Sequence, residues 1–206
     1  MDPRWRHPFT SVVAGPTGSG KTHFVKRILR HLPDVITPTP DRIVWCYGEW
    51  QPGYADVRGV DFEEGLPSMT TFDKSQRTLL ILDDLAQDVD SRVTKLFTRG
   101  SHHWNVSVLY LVQNLFDKNK EHRTISLNAH YLVLFKNPRD GGQIRNLASQ
   151  MFPGRGAYLQ EAFADATEEA HGYLVVDCTQ QTPTHLRLRT SIFPGEYQVV
   201  YTRKTP

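Results

Sequence analysis

Short runs rich in Val, Ile and Leu recur along the chain, separated by stretches in which apolar residues return at helical spacing. The run Phe9–Ala14 predicts a buried strand. Thr22–Leu32 predicts a helix, because Phe24, Val25, Ile28, Leu29 and Leu32 fall on one face. Pro33 and the Pro38–Pro40 stretch should end it. Arg42–Tyr47 and Thr78–Leu82 predict two more strands, with an irregular stretch over Gln51–Gly65 between them. Ser91–Gly100 reads as a short helix stopped by its glycine. Val106–Val112 and Tyr131–Phe135 continue the strand series, and Gly141–Phe152 and Ala157–Ala170 read as helices. Tyr173–Asp177 and Leu186–Phe193 form a last pair of strands joined across Thr182–Pro183. Strands alternating with helices predict an α/β fold, a mostly parallel sheet flanked by helices on both faces with a C-terminal strand pair.

Composition narrows the class without changing this picture. At 206 residues, 39% hydrophobic and 22% charged, the chain is long enough to bury a core and too apolar for a disordered one. The expectation is a single domain over residues 1–206, with its core at about 9–177 and C-terminal strands and tail at 178–206. No apolar run reaches the roughly 18 residues of a membrane helix. The stretch after Arg4, Arg6 and His7 is too short for a cleaved signal, so an intracellular, unsecreted protein is expected. Cys46 and Cys178 lie far apart, which rules out a disulfide scaffold or a four-cysteine zinc site and suits two core thiols. Adjacent His102 and His103 lack ligand spacing.

The net charge of +2 hides a strong alternation. Residues 1–33 carry +5, residues 34–90 carry −8, residues 91–155 carry +7 and the remainder −2. The basic block contains Arg92, Lys95, Arg99, Lys118, Lys120, Arg123, Lys136, Arg139, Arg145 and Arg155. Such a block either forms a solvated surface or meets an anionic polymer.

The most specific signal is Gly15-Pro16-Thr17-Gly18-Ser19-Gly20-Lys21-Thr22, which fits G-x-x-x-x-G-K-[ST], the P-loop. Glycines allow a backbone loop whose N–H groups turn inward around phosphates, and the following helix adds positive partial charge. Lys21 should reach the β- and γ-phosphates of ATP, and the Thr22 hydroxyl should bind Mg²⁺. The apolar strand before Asp83-Asp84 delivers two acids at its C-terminal end, where ligands of open α/β sheets bind. Asp83 is the candidate metal carboxylate (Walker B) and Asp84 the candidate for activating the attacking water. At the next strand end, Gln113 is placed to sense the γ-phosphate or hold that water. Arg99, just before that strand, is a candidate for an arginine supplied to a neighbour's nucleotide, with Arg123, Arg139 and Arg145 as rivals. Tyr47 and Trp50 either fill the core or stack on a base, and the core is the favoured reading.

Taken in order, these features resemble the FtsK/HerA branch of P-loop (RecA-like) ATPases. More specifically, Arg99–Ser107 through Gln113–Phe116, and Asn128–Tyr131 through Phe135–Asp140, resemble the poxvirus-type genome-packaging ATPases of double-stranded DNA viruses and of Polinton and adintovirus elements. The likeness runs from about Thr10 to Phe193. It implies a motor that hydrolyses ATP with Mg²⁺ and pushes double-stranded DNA, largely regardless of sequence, into a capsid. It also implies a homo-oligomeric ring, a capsid or portal partner, no membrane partner, and a place of action inside the host cell where virions assemble. Carried over by position, Lys21 and Thr22 hold nucleotide and metal, Asp83 the metal and Asp84 the water, with Gln113 the sensor and Arg99 the trans finger. Many relatives have Glu where Asp84 stands. The resemblance also implies basic loops near Lys118–Arg123 facing the DNA. The other readings are a related DNA pump or helicase, a P-loop small-molecule kinase, and a P-loop protein that binds nucleotide only for assembly.

Overall fold

The computed structural model describes residues 2–68, 70, 72–85, 89–116 and 120–203. Lys118, one of the basic residues singled out above, lies outside them. The elements run β1 (Trp5–Arg6), β2 (Thr10–Ala14), α1 (Lys21–Arg30), α2 (Leu32–Val35), β3 (Ile36–Thr37), β4 (Arg42–Tyr47), β5 (Asp61–Glu64) and β6 (Thr78–Asp83). They continue through α3 (Ser91–Lys95), α4 (Ser101–Trp104), β7 (Val106–Val112), α5 (Lys120–Leu127), β8 (Tyr131–Phe135), α6 (Gly142–Met151), α7 (Ala157–Ala166), β9 (Tyr173–Asp177), β10 (Leu188–Thr190) and β11 (Val199–Tyr201).

Nine of these strands form one sheet in the order β11-β10-β9-β8-β2-β7-β6-β4-β5. From β8 to β5 every neighbouring pair is parallel. The C-terminal strands β9, β10 and β11 are added antiparallel. Period-two alternation decides what each face buries. Val12, Ala14, Leu80, Leu82, Val108 and Tyr110 point to one side, where α3, α5, α6 and α7 pack. Val13, Leu79, Ile81, Leu109 and Leu111 point to the other, where Phe24, Val25 and Ile28 of α1 cover them. Parallel strands covered on both faces read as continuous apolar runs, which is why they were legible as strands.

The structure departs from expectation in five places. Pro33 ends no helical segment; it sits in the first turn of α2, where its missing N–H costs nothing. The stretch Gln51–Gly65 is not wholly irregular: it holds a 3₁₀ turn, Pro52–Tyr54, and the edge strand β5. With three acids in four residues, β5 has no apolar alternation to announce it, and charge is how exposed edges avoid pairing. Gly100 does not stop the helix that starts at Ser91. The chain passes through a π-turn, Leu96–Gly100, into α4 and ends at Asn105, whose φ is 54°. Gly100 is there for space, since a Cβ would lie 2.2 Å from the Trp104 ring. The helix begun at Ala157 ends at Ala166, where the Thr167 hydroxyl donates back to the Phe163 carbonyl at 2.7 Å. The strand expected over Leu186–Phe193 is reduced to β10, because Ser191 takes a left-handed φ of 55°. The short β1–β3 sheet, α5 and β11 had no counterpart in the sequence reading.

Candidate functional site

Residues 15–20 join the C-terminal end of β2 to the first turn of α1. The Gly15 N–H donates to the Val112 carbonyl at 3.1 Å, which fixes the start of the loop against β7. Gly15 has no room for a side chain: a Cβ would lie 2.6 Å from Phe135 Cβ and 2.6 Å from Ser19 Oγ. Gly18 and Gly20 have φ of 77° and 109°, the left-handed region that turns successive N–H groups inward. The first turn of α1 carries no side-chain cap and no acidic residue. Its N–H groups and positive partial charge are therefore left for an anion. Ser19 Oγ is buried without a hydrogen-bond partner among the described residues.

Lys21 folds back over this loop, its Nζ donating to the carbonyls of Gly15 at 2.6 Å and Pro16 at 3.0 Å. Burial lowers its pKa, and the charges of Asp83 and Asp84 oppose that shift. Asp83 lies on the α1 face because it continues the odd-numbered register of Leu79 and Ile81. It is only 4% exposed. Burial raises its pKa, against the pull of donors from Tyr54 and Thr22 and of the Lys21 charge. The Tyr54 hydroxyl donates to Asp83 Oδ2 at 2.9 Å, and Thr22 lies near enough to help hold the Asp83 pKa down. Hydroxyl and carboxylate oxygens at the mouth of a phosphate cradle are the hard donors Mg²⁺ takes, so these residues fit that metal.

Asp84 is exposed and has a φ of 56°, a strained setting for a non-glycine residue. Its carbonyl packs so closely on Gly48 that a Cβ there would lie 2.4 Å away. Gln113 is exposed at the end of β7, and it lines a cavity of about 40 Å³ together with Gly15.

No protein-family model and no curated protein sequence matches the chain. Among solved structures, it is similar to the genome packaging NTPase B204 from Sulfolobus turreted icosahedral virus 2, a complex with ATP-γS. The TM-score is 0.58 at 12% identity, over 96% of this chain and 98% of that one. The fold is that of the P-loop NTPases. Two other structures superpose less closely. The P4 protein of bacteriophage phi6, in complex with ADP, has a TM-score of 0.37 at 17% identity over 62% of this chain and 50% of that one. The N-terminal domain of zonular occludens toxin from Neisseria meningitidis has 0.38 at 10% identity over 96% and 95%.

Within this P-loop fold, Lys21, Thr22 and Asp83 come together, with Asp84 near enough for its charge to act on Lys21. Gln113 adjoins the loop through Gly15. Arg99 does not join them. It stands exposed on the π-turn, with no hydrogen bond or ion pair among the described residues. Arg123, Arg139 and Arg145 are exposed too, so exposure does not choose between them as donors to a neighbour.

The described basic residues from Arg92 to Arg155 are all exposed. They lie on α3, α5, α6 and the adjoining turns, the elements that cover the sheet face opposite α1. Among the described residues only Arg92 of this set forms an ion pair, with Asp90. Cys46 is buried, and burial pushes its thiol up to about 12, as befits an inert core thiol. Trp50 corrects the reading of it as core: it is 52% exposed. It caps an aromatic cluster with Tyr47, Tyr54 and Phe62 on the β4–β5 edge.

Two residues that the sequence did not single out touch the site. Tyr54 reaches Asp83 from a Pro-Gly turn, and no local pattern marks it. His171, at a φ of 63°, places Nδ1 3.2 Å from the Ser19 carbonyl. That carbonyl only accepts, so a hydrogen bond there requires the Nδ1–H tautomer.

Proposed function

We propose that the chain is a Mg²⁺-dependent ATPase that drives double-stranded DNA, the motor of a genome-packaging machine of the poxvirus and Polinton type. The observation that carries this reading is the buried Asp83 carboxylate close to Thr22, beside an uncapped helix N-terminus and the Lys21 amine. A carboxylate buried close to a P-loop hydroxyl has a purpose once a divalent cation and phosphates arrive. The 12%-identical packaging NTPase neighbour supports the fold on which the reading rests.

Each side chain then has a task. Lys21 exchanges the carbonyls of Gly15 and Pro16 for phosphate oxygens, which relieves the desolvation of its amine. The loop N–H groups and the first turn of α1 orient the polyphosphate. Bound magnesium would offset the charge that develops on the transferred phosphoryl oxygens. Asp84, with Gln113 across the cradle, orients the attacking water and takes its proton. Arg99, free on the surface, reaches the γ-phosphate site of the next copy in a homo-oligomeric ring; such fingers contribute on the order of 10³–10⁵ in rate. The basic face on α3, α5 and α6 tracks DNA phosphates without reading sequence. The site of action is the interior of the host cell, beside a capsid or portal protein.

The test is steady-state ATP hydrolysis with and without double-stranded DNA, with Lys21→Ala as control. A DNA-stimulated rate lost in Lys21→Ala supports the motor, and mixing Arg99→Ala with wild type then probes the trans finger. A rate indifferent to DNA speaks for a small-molecule kinase, and no turnover at all for an assembly role.

A further inference from the structure

Asp83 is gripped from a side that the P-loop motif does not include. The Tyr54 hydroxyl donates to Asp83 Oδ2 at 2.9 Å, and both side chains are buried. Tyr54 closes the 3₁₀ turn Pro52–Tyr54 between β4 and β5. That turn is tied down from both ends of the site. Lys26 of α1, on the helix that begins with Lys21 and Thr22, donates to the Gly53 carbonyl. The Tyr54 ring stacks on Phe62 at 5.6 Å and 25° and packs on Trp45 at 5.1 Å.

A carboxylate at the end of a strand can rotate about its last bonds. A rotated Asp83 would not serve a metal. The phenol answers this. It has one proton to give, and its ring is packed between Phe62 and Trp45. With Oδ2 held by Tyr54, rotation of the Asp83 carboxylate is restricted. We propose that Tyr54 is the positioning residue of the metal site, holding the Asp83 carboxylate oriented so that Mg²⁺ binds there with the nucleotide. This rests on the ATPase reading above.

The experiment measures ADP affinity of the full chain by calorimetry, in saturating magnesium and in excess EDTA, for wild type, Tyr54→Phe and Phe62→Leu. A hydrogen bond to a charged group sets the scale, so Tyr54→Phe should lose about tenfold of the magnesium-dependent gain in affinity. Its affinity in EDTA should equal that of wild type. Raised magnesium should restore its ATP turnover, so that the half-saturating metal concentration moves and the maximal rate does not. Phe62→Leu disturbs the same ring cluster and keeps the hydroxyl, and it should keep the wild-type magnesium gain. Tyr54→Phe with an unchanged magnesium gain overturns the proposal while leaving the ATPase reading intact. Equal losses with and without metal, in both variants, overturn it as well, because Tyr54 would then be packing alone. A wild type that binds no nucleotide overturns the ATPase reading, and Tyr54's role with it.

Discussion

Alanine at Gly15 would put a Cβ 2.6 Å from Phe135 Cβ and 2.6 Å from Ser19 Oγ, with Ser19 Cβ at 3.2 Å. Phe135 Cβ belongs to the buried end of β8 and cannot give way, so the loop must. Overpacking of this kind costs roughly 1–3 kcal/mol. For a domain of this size each kcal/mol moves Tm by roughly 2–4 °C, so Gly15→Ala should melt about 2–12 °C lower. Binding should suffer more than stability, because the displaced segment is the phosphate cradle; a shift of about 1 Å can cost on the order of 100-fold in rate. Gly18 supplies the contrast. Nothing lies within 4 Å of a Cβ there, but its φ is 77°. Its cost is conformational, about 1–2 kcal/mol for most residues and less for Asn, which tolerates the left-handed region. Gly18→Asn should therefore be milder than Gly18→Val, whereas Gly15→Asn should be as harmful as Gly15→Ala. The assay is thermal unfolding of the nucleotide-free protein alongside ADP affinity. A Gly15→Ala protein that melts and binds like wild type would refute the steric argument.

The remaining predictions concern the scaffold and the basic face. Asp177 and Arg189 form an ion pair at 3.2 Å with side chains 5% and 7% exposed, so Asp177→Ala strands a buried guanidinium. The loss should be about 3–5 kcal/mol, or about 6–20 °C in Tm, and Arg189→Met in the same chain should recover part of it. His7 and His130 both have pKa values lowered chiefly by burial. The unfolded chain then binds more protons, so their contribution is complete above the ordinary histidine value and is lost as pH falls below it toward the depressed folded values. The urea midpoint should drop between pH 7.5 and pH 5.5, and a flat midpoint would contradict the burial of these rings. DNA affinity should fall with salt at a log–log slope near −0.9 per phosphate neutralised, with Arg139→Ala making the slope shallower by about 1. A slope indifferent to that substitution would remove Arg139 from the interface.

What the sequence made legible, and what it hid, divides along the range of the interactions involved. β2, β4, β6, β7 and β8 were readable because parallel strands covered on both faces are apolar at most positions, a local signal. The cradle was readable for a similar reason, since glycines at 15, 18 and 20 and the amine at 21 act within one loop. Edge strands escaped because half of their surface meets water: β5 is acidic and β11 is partly exposed. Tyr54 escaped for a deeper reason. Its partner is 29 residues away, and the contact exists only because β4 lies between β5 and β6 in the sheet. Strand order is set by packing of the whole domain, so a tyrosine in a Pro-Gly turn gives no local sign of it. The same limit applies to Arg99, whose partner would belong to another copy of the chain. That Lys21, Thr22 and Asp83 lie together thus follows from local spacing and strand end, whereas the tyrosine that bonds the aspartate depends on topology.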